Sequence, residues 1–393
     1  MTDRAPEQDP ARPAANGKPV GSGTGKSAAP AHFLHVLPSF GIGGVPLRTA
    51  RIINHLGRGY RHTLVALDDN FAAGRTLADH LDVTLLPSRR PARNVLRAVW
   101  ESAVALRRHR PDLLLTYNWG AIEWAMAARL GQAARHLHFE AGFGTEEADR
   151  QIRRRVLFRR WALARCAGVV VPSHTLADLA RRVWRLPDER VIHLPDGIAI
   201  ERFAAPGDDG VARRPDELII GTVAPLRPEK NIGRLLRVFA SLAPAAPTRL
   251  VIAGDGSERG RLETLAGDLG IADRVIFTGQ VQPETVLGAF SIFALSSDTE
   301  QMPNALLEAM AAGRAVAAVD VGDVRRMVCE ENREFIIPRD DGPAFAAALA
   351  RLLADPARRD LLGRRNRARV IAEFSDRRML ADYEALFCRV LAR

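Results

Sequence analysis

Two carboxylates eight residues apart, Glu300 and Glu308, sit in a stretch that reads as strand, loop and helix. The apolar run Ser291–Leu295 has the length of a short buried strand. Pro303 suits a loop or first helical turn, Asn304–Met310 is rich in helix formers, and Gly313 stops the helix. Glu300 therefore belongs at or near a strand's carboxyl end, with Glu308 about one turn into the following helix. In an open α/β sheet ligands bind at that edge, where free amides at a helix start converge with loop side chains. The two carboxylates could hold hydroxyls of one polar ligand while amides near Asn304, Ala305 and Leu306 face an anion. A solvated Glu before a helix and a second Glu on its surface would give the same spacing.

Other segments could complete such a site. Strand Leu218–Val223 leads into Ala224–Asn231 and a helix Ile232–Leu242. Cations just behind a strand, here Arg227 and Lys230, can balance a diphosphate and stabilise a leaving nucleotide. In the first half, strand His32–Pro38, loop Ser39–Pro46 and a helix from about Leu47 to Leu56 place Gly43 and Gly44 where backbone can approach a diphosphate; a tight turn without ligand is the other reading. That loop has neither GxGxxG nor GK[ST]. Asn118 and Trp119 follow strand Leu113–Tyr117, to line a cleft or to pack over the sheet edge. A later strand ends in Leu137-His138-Phe139-Glu140. A neutral His138 there could hydrogen-bond a ligand hydroxyl or a backbone carbonyl, or face solvent as His136 would. Glu140 is a candidate ligand carboxylate at the same strand end.

The elements that must position these groups alternate along the chain. Short apolar runs at Thr63–Leu67, Val83–Leu86, Val169–Val171 and Val191–Leu194 are interleaved with helices at Asn94–His109 and from Thr175 to about Trp184. The pattern restarts with Arg249–Ala253, helix Glu258–Leu269, Val275–Thr278, helix Pro283–Ala289, Ala315–Val319 and Glu334–Ile337. Helices Ala344–Leu353, Pro356–Phe374 and Arg377–Leu391 follow. Such alternation indicates parallel, doubly wound sheets. A chain of 393 residues exceeds one ordinary core. The expected division is a disordered tail over 1–31, a first domain over 32–205, a Pro/Gly/Asp-rich linker over 206–215, a second domain over 216–374 and a terminal helix over 375–393.

Composition excludes several classes. Apolar residues make up 47% and charged residues 26%, and no run of 18 apolar residues exists to span a bilayer. The first 31 residues lack the hydrophobic block of a signal peptide. Cys166, Cys329 and Cys388 form no ligand cluster, so a reducing cytoplasm and no structural metal is the simplest reading. The net charge of +10 suits anionic partners, but no zinc-finger spacing, basic zipper or aromatic-basic RNA motif supports nucleic acid. Arg150–Arg165 mixes seven arginines with Trp161, Phe158 and Leu157. It reads either as a helix resting on anionic lipid or as a core-facing helix with a basic solvent face.

The stretch around Glu300 and Glu308, ending in Leu306-Leu307-Glu308-Ala309-Met310-Ala311-Ala312-Gly313, resembles the signature of the family-4 retaining glycosyltransferases. Gln301 and Met302 stand where that family usually has Gly and often Phe, and Pro225 stands where it normally has Arg. The Gly43-Gly44 loop, Lys230 and Pro195-Asp196-Gly197-Ile198 resemble further family elements in the expected order. The resemblance implies a GT-B fold, two facing Rossmann-like domains with an interdomain cleft. It implies that Glu300 and His138 contact the donor sugar, that Lys230, with Arg227 beside it, binds diphosphate, that Glu308 holds ribose, and that backbone at Gly279 surrounds the base. The reaction implied is transfer of a hexose-type sugar, with retention, from a UDP- or GDP-linked donor to a hydroxyl of a glycan, polyprenyl-linked or small-molecule acceptor entering near Asn118 and Glu140. No further cofactor is implied. A nucleotide-sugar epimerase of similar two-lobed fold and a nucleotide-binding scaffold are the alternatives.

Overall fold

The computed structural model describes residues 30–88, 94–131, 134–143, 145–147, 150–203, 211, 214, 216–244 and 246–392. The expected tail over 1–31 and linker over 206–215 therefore lie almost wholly outside the described residues. The first sheet contains β1 (Ala31–Leu37), β2 (Tyr60–Ala66), β3 (Val83–Pro87), β4 (Leu113–Tyr117), β5 (Arg135–Phe139), β6 (Gly168–Val171) and β7 (Val191–His193). The second contains β8 (Leu218–Val223), β9 (Thr248–Ala253), β10 (Val275–Gly279), β11 (Ile292–Leu295), β12 (Ala315–Val319) and β13 (Ile336–Ile337). Both are parallel throughout, in the orders β3-β2-β1-β4-β5-β6-β7 and β10-β9-β8-β11-β12-β13.

Helices cover both faces of each sheet. In the first lobe they are α1 (Gly44–Leu56), α2 (Val95–His109), α3 (Ile122–Gly131), α4 (Arg153–Leu163) and α5 (His174–Arg182). The second lobe has α6 (Ile232–Ala240), α7 (Arg259–Asp268), α8 (Glu284–Leu287), α9 (Asn304–Ala311), α10 (Val324–Met327), α11 (Gly342–Ala354) and α12 (Pro356–Glu373), and the chain ends in α13 (Asp376–Ala392). Coverage on two sides explains why β4 and β12 are buried at every position instead of alternating. Five helix starts among the described residues are fixed by side chains: Asn94 accepts from Leu96 N, Ser173 from Leu176 N, Asn231 from Arg234 N, Asp341 from Ala344 N and Asp355 from Arg358 N.

Some boundaries move from their expected places. Helix α1 begins three residues early, at Gly44, because Pro46 has a φ suited to a first turn and loses no needed donor there. The strand expected over Glu334–Ile337 shrinks to Ile336–Ile337, since Glu330–Phe335 winds as a 3₁₀ turn. Helix α13 packs Met379, Tyr383, Leu386, Phe387 and Val390 into the first lobe's core beside Phe33 and Ile53. The chain crosses between lobes twice, and the crossings run side by side: Ile198 N donates to Phe374 O and Asp376 N to Ile198 O. In each sheet the strand order reverses next to the first strand, at β1/β4 and β8/β11, which opens a crevice at the carboxyl ends.

Candidate functional site

Those carboxyl ends face each other. A cavity of about 360 Å³ between the lobes is lined by Gly44, Val45, Ala141 and Asp196 from the first-lobe side and by Thr222–Pro225, Lys230, Ser296, Ser297, Glu300 and Met302–Ala305 from the second. Five residues picked out from sequence thus meet in one place: Gly44, Lys230, Glu300, Asn304 and Ala305. Gly44 is set against α9, where a Cβ would lie 3.6 Å from Asn304 Nδ2. Gly43, one residue earlier in the same loop, is the extended residue ahead of α1.

Lys230 and Glu300 are held by the loops that carry them. Asn231 adopts a left-handed backbone, caps α6 and donates to both oxygens of Asp298 at 3.1 and 3.0 Å. Arg234 donates to Asp298 Oδ1 and to Ser296 O, and Ser296 Oγ donates to Lys230 O. The loop before Lys230 rests on a glycine turn in which a Cβ on Gly254, at φ 146°, would strike Ala224 O. Lys230 Nζ lies 2.6 Å from Glu300 Oε1, and Ser297 Oγ donates to that same oxygen at 2.7 Å. Both side chains keep an edge in the cavity, 20% exposed for Lys230 and 11% for Glu300. The two expected ligand contacts thus neutralise each other across the mouth of the site.

Helix α9 starts behind Pro303 with no side-chain cap, so its positive end and first amides point into the cavity. The expectation narrows here to Asn304 and Ala305. Leu306 N already donates to Pro303 O at 3.1 Å, and its side chain is fully buried in the core. Asn304 Oδ1 is buried without a hydrogen-bond partner.

Glu308 lies a turn further back, half-buried and outside the cavity lining. Burial pushes its carboxyl up to about 7; Glu284 adds to the shift, and Arg202 and Arg51 oppose it. Arg227 is exposed and does not line the cavity, and its backbone only closes the turn before Lys230. Pro225, where the family signature has arginine, itself lines the cavity. Gly279, at φ 73°, is at the end of β10 and accepts from Gly254 N, away from the same cavity.

The first-lobe candidates form a second group. Asn118 lines a cavity of about 380 Å³ with Trp119, Phe143, Glu146, Arg155 and Arg159. Its Oδ1 accepts from Ala141 N at 2.9 Å, which fixes the loop between the two cavities. Period-two alternation turns His136 and His138 to one face of β5, where Thr116 Oγ1 contacts both, at 2.7 and 2.8 Å. Neither imidazole faces solvent as the alternative reading had it: His138 is fully buried, and burial beside His138 pushes His136 down to about 3. His138 is in neither cavity lining, so this structure does not bring it beside Glu300. Glu140 is buried as well, 3.4 Å from Arg159 Nε and 3.9 Å from His138 Nε2, and both its oxygens lack hydrogen-bond partners.

Sequence reasoning missed the seam between lobes. Gln301 Oε1 accepts from Ser173 Oγ at 3.2 Å, and Met302 Sδ lies 3.3 Å from Asp196 N. Asp323 accepts from His174 N, Thr175 N and Thr175 Oγ1. Gly322 lets that loop pass Glu300, whose carbonyl a Cβ would meet at 2.3 Å. Residues 301 and 302, where the signature departs from its usual form, are therefore interlobe contacts. The departure itself was the available signal.

Residues 42–202 match the family model Glycosyltransferase Family 4, and residues 208–369 match Glycosyl transferases group 1. The chain is 30% identical over 215 residues to the alpha-D-kanosaminyltransferase of Streptomyces kanamyceticus, covering 51% of this chain and 55% of that protein. It is 28% identical over 375 residues to the GDP-mannose-dependent alpha-mannosyltransferase of Mycolicibacterium smegmatis, covering 88% and 95%. Matched residues span little more than half the length of the first of these curated relatives. Among solved structures, HepE of Anabaena in complex with UDP aligns with TM-score 0.76 at 16% identity, over 91% of this chain and 100% of that one. Sucrose-phosphate synthase of Thermosynechococcus elongatus aligns with TM-score 0.73 at 22% identity, over 92% and 99%. The fold is GT-B.

Proposed function

We propose that this chain, which belongs to the GT-B glycosyltransferases built from a Glycosyltransferase Family 4 lobe and a glycosyl transferases group 1 lobe, transfers a sugar from a nucleoside diphosphate to an acceptor hydroxyl. The observation that carries this reading is the cavity into which both lobes bring Gly44, Lys230, Glu300 and the uncapped start of α9. A diphosphate there meets one cation, a helix dipole and a loop without side chains, while the sugar meets a carboxylate. Donor binding exchanges partners: phosphate replaces Glu300 on Lys230, and Glu300 is released to accept from sugar hydroxyls.

The proposal includes a retaining course, as in the family-4 enzymes that the signature around Glu300 and Glu308 resembles. The bond from the anomeric carbon to the diphosphate oxygen breaks, and the acceptor oxygen bonds to the same face of the sugar. Its proton passes to the departing phosphate. Lys230 and the amides of Asn304 and Ala305 offset the charge that grows on the leaving group. The donor is a UDP- or GDP-linked hexose; HepE was solved with UDP and with UDP-glucose, and the mycobacterial relative is GDP-mannose-dependent. Acceptors are glycans or polyprenyl-linked saccharides, entering past Asn118. A screen of UDP- and GDP-hexoses by mass spectrometry, with calorimetry of UDP and GDP, tests the reading. Neither heat of binding nor consumption of any donor would sink it.

Peripheral contact with an anionic, cytoplasm-facing membrane is part of this proposal. Arg159 and Arg155 of α4 turn inward to Glu147, with Arg155 also on Glu146, and what stays exposed is one basic and apolar face holding Arg153, Arg154, Leu157, Arg160 and Trp161. Leu157 is 65% exposed. No described helix is long and apolar enough to cross a membrane. Vesicles containing phosphatidylglycerol should sediment the protein, less so as salt rises, and Leu157→Ser with Trp161→Ser should release it. Equal sedimentation with phosphatidylcholine alone would refute the contact.

A further inference from the structure

Outside the donor cavity, a second interlobe cavity of about 670 Å³ is lined by His174, His193 and Asp323, with Arg326, Arg369 and Arg378 among its other walls. The three candidate ligands come from segments remote in sequence. His193 ends β7 in register with Val171 of β6, and His174 begins α5 just past that same strand end. Asp323 comes from the opposite lobe, on the loop between β12 and α10. Ring centroids of the two histidines are 4.0 Å apart, and ligand atoms of all three residues lie within 4.8 Å of one another.

We infer that His174, His193 and Asp323 form a binding site for a first-row divalent cation of the zinc type, which clamps the first lobe to the second. Three features of the donor set carry this. His193 Nε2 lies 3.2 Å from Pro172 O; a carbonyl only accepts, so Nε2 carries the proton and Nδ1 presents its lone pair. A ring nitrogen donating to a backbone carbonyl while the other is free is the arrangement in which histidines bind metals. Asp323 is buried and already oriented by three donors, yet Oδ2 accepts only from His174 N, at 2.6 Å, and keeps a lone pair. The exposed ring of His174 rests beside that of His193, and no hydrogen bond to a described residue opposes its rotation toward the other two ligands.

Two imidazoles, one carboxylate and no thiolate suit zinc, cobalt or nickel over calcium and magnesium. Zinc ligands at bond lengths of about 2.1 Å lie about 3.4 Å apart around a tetrahedron, so rotation of the His174 ring toward the others supplies the contraction. The fourth position opens to the cavity. The remaining wall carries Arg326, Arg333, Arg369 and Arg378 against Glu373 and Asp382, with Arg369 paired to Glu373 at 3.1 Å, and this positive balance favours an anion as fourth ligand. None of the site's three ligands lines the donor cavity, although Met302 lines both cavities. The site's role is to hold Asp323 of one lobe to two histidines of the other.

Zinc chloride titrated calorimetrically into the chelator-stripped full chain tests the inference. One ion per chain is expected, with affinity reduced at least about tenfold in His174→Ala and in His193→Ala. Cobalt(II) should give the intense visible absorption of a tetrahedral nitrogen and oxygen site, lost in both variants. His174 is exposed, so its replacement leaves folding intact, as circular dichroism will verify. Absence of zinc binding by the folded chain, or binding and cobalt spectra unchanged in both histidine variants, overturns the site. Neither readout depends on donor turnover, so failure here and failure of the transferase reading are distinguishable.

Discussion

The two lobes share a strand order around their first strand, yet they place polar side chains differently. In the first lobe such groups run inside the sheet. His32 pairs with Thr63, His35 with Tyr117 and His62, and Thr116 with His136 and His138, all buried. Glu147 and Arg159 continue that interior, joined by two hydrogen bonds of 3.0 Å, with the arginine 5.0 to 5.1 Å from the rings of Trp119, Phe143 and Trp184. In the second lobe the sheet interior is mostly apolar, with Asn332 buried against the backbone of β12 and Asn366 buried against Asn332, and the polar groups at the strand carboxyl ends face the cavity: Thr222, Lys230, Ser296, Ser297 and Glu300. One topology thus supports a polar core that fixes structure and a polar rim that awaits a ligand. Burial, more than residue type, separates the two uses.

The sharpest way to break that comparison is to remove one cation from each lobe. Arg159→Leu leaves Glu147 and Glu140 buried without their main cation, so the first lobe should lose about 3 kcal/mol, read as a lower urea midpoint. A loss below about 1 kcal/mol would show that the first-lobe cluster is not structural. Lys230→Ala should do the reverse. The melting temperature should hardly move, because Lys230 is partly exposed and its partner Glu300 keeps Ser297, while donor turnover should fall about 100-fold or more. Unchanged turnover in a folded Lys230→Ala protein would remove the rim from the chemistry.

The same contrast explains what the sequence made legible. Alternation of apolar runs and helices was enough for the two doubly wound lobes, because parallel strands covered on both faces leave long unbroken apolar stretches. Gly44, Lys230, Glu300, Asn304 and Ala305 were also readable, since each follows a strand end where this topology puts ligands. The interior of the first lobe was not. Nothing local distinguishes a histidine inside a sheet from one in solvent, so His136 reads as exposed until β4 supplies Thr116 as its partner. Neighbours in a loop point in different directions, so of the two cations Lys230 lines the cavity while Arg227 is exposed outside it. His174, His193 and Asp323 are separated by up to 149 positions and join only through closure of the lobes.

Glu308 stands between the two regimes, a half-buried carboxylate one turn behind the rim, and pH tests which regime prevails. Its folded value is raised from the ordinary 4.5 to about 7, so the stability it contributes is fully present below pH 4.5 and is lost as pH rises through 7. That difference corresponds to at most about 3 kcal/mol. A ribose hydroxyl donates best to the ionised form, so nucleotide affinity should change in the opposite sense, rising roughly tenfold between about pH 6 and about pH 8. Glu308→Gln should flatten both profiles. Calorimetry of nucleotide binding across that range decides the matter, and affinity independent of pH in the parent protein would detach Glu308 from the ligand.

The smallest expected effect lies at the seam where the lobes meet. Gln301 offers its Oε1 to Ser173 Oγ at 3.2 Å, a neutral hydrogen bond worth about 1 kcal/mol. Its loss in Gln301→Ala should shift the balance between closed and open lobes by about fivefold, because Asp323 still holds the start of α5 through His174 and Thr175. Fluorescence transfer between labels on the two lobes would report the change as a longer mean distance, without loss of the melting transition. Removing the Asp323 carboxylate as well should open the lobes further than the two single changes added together, because either contact alone keeps the other aligned. Strictly additive distances would mean that the two contacts act on closure independently, and the seam would then be two separate latches instead of one cooperative surface.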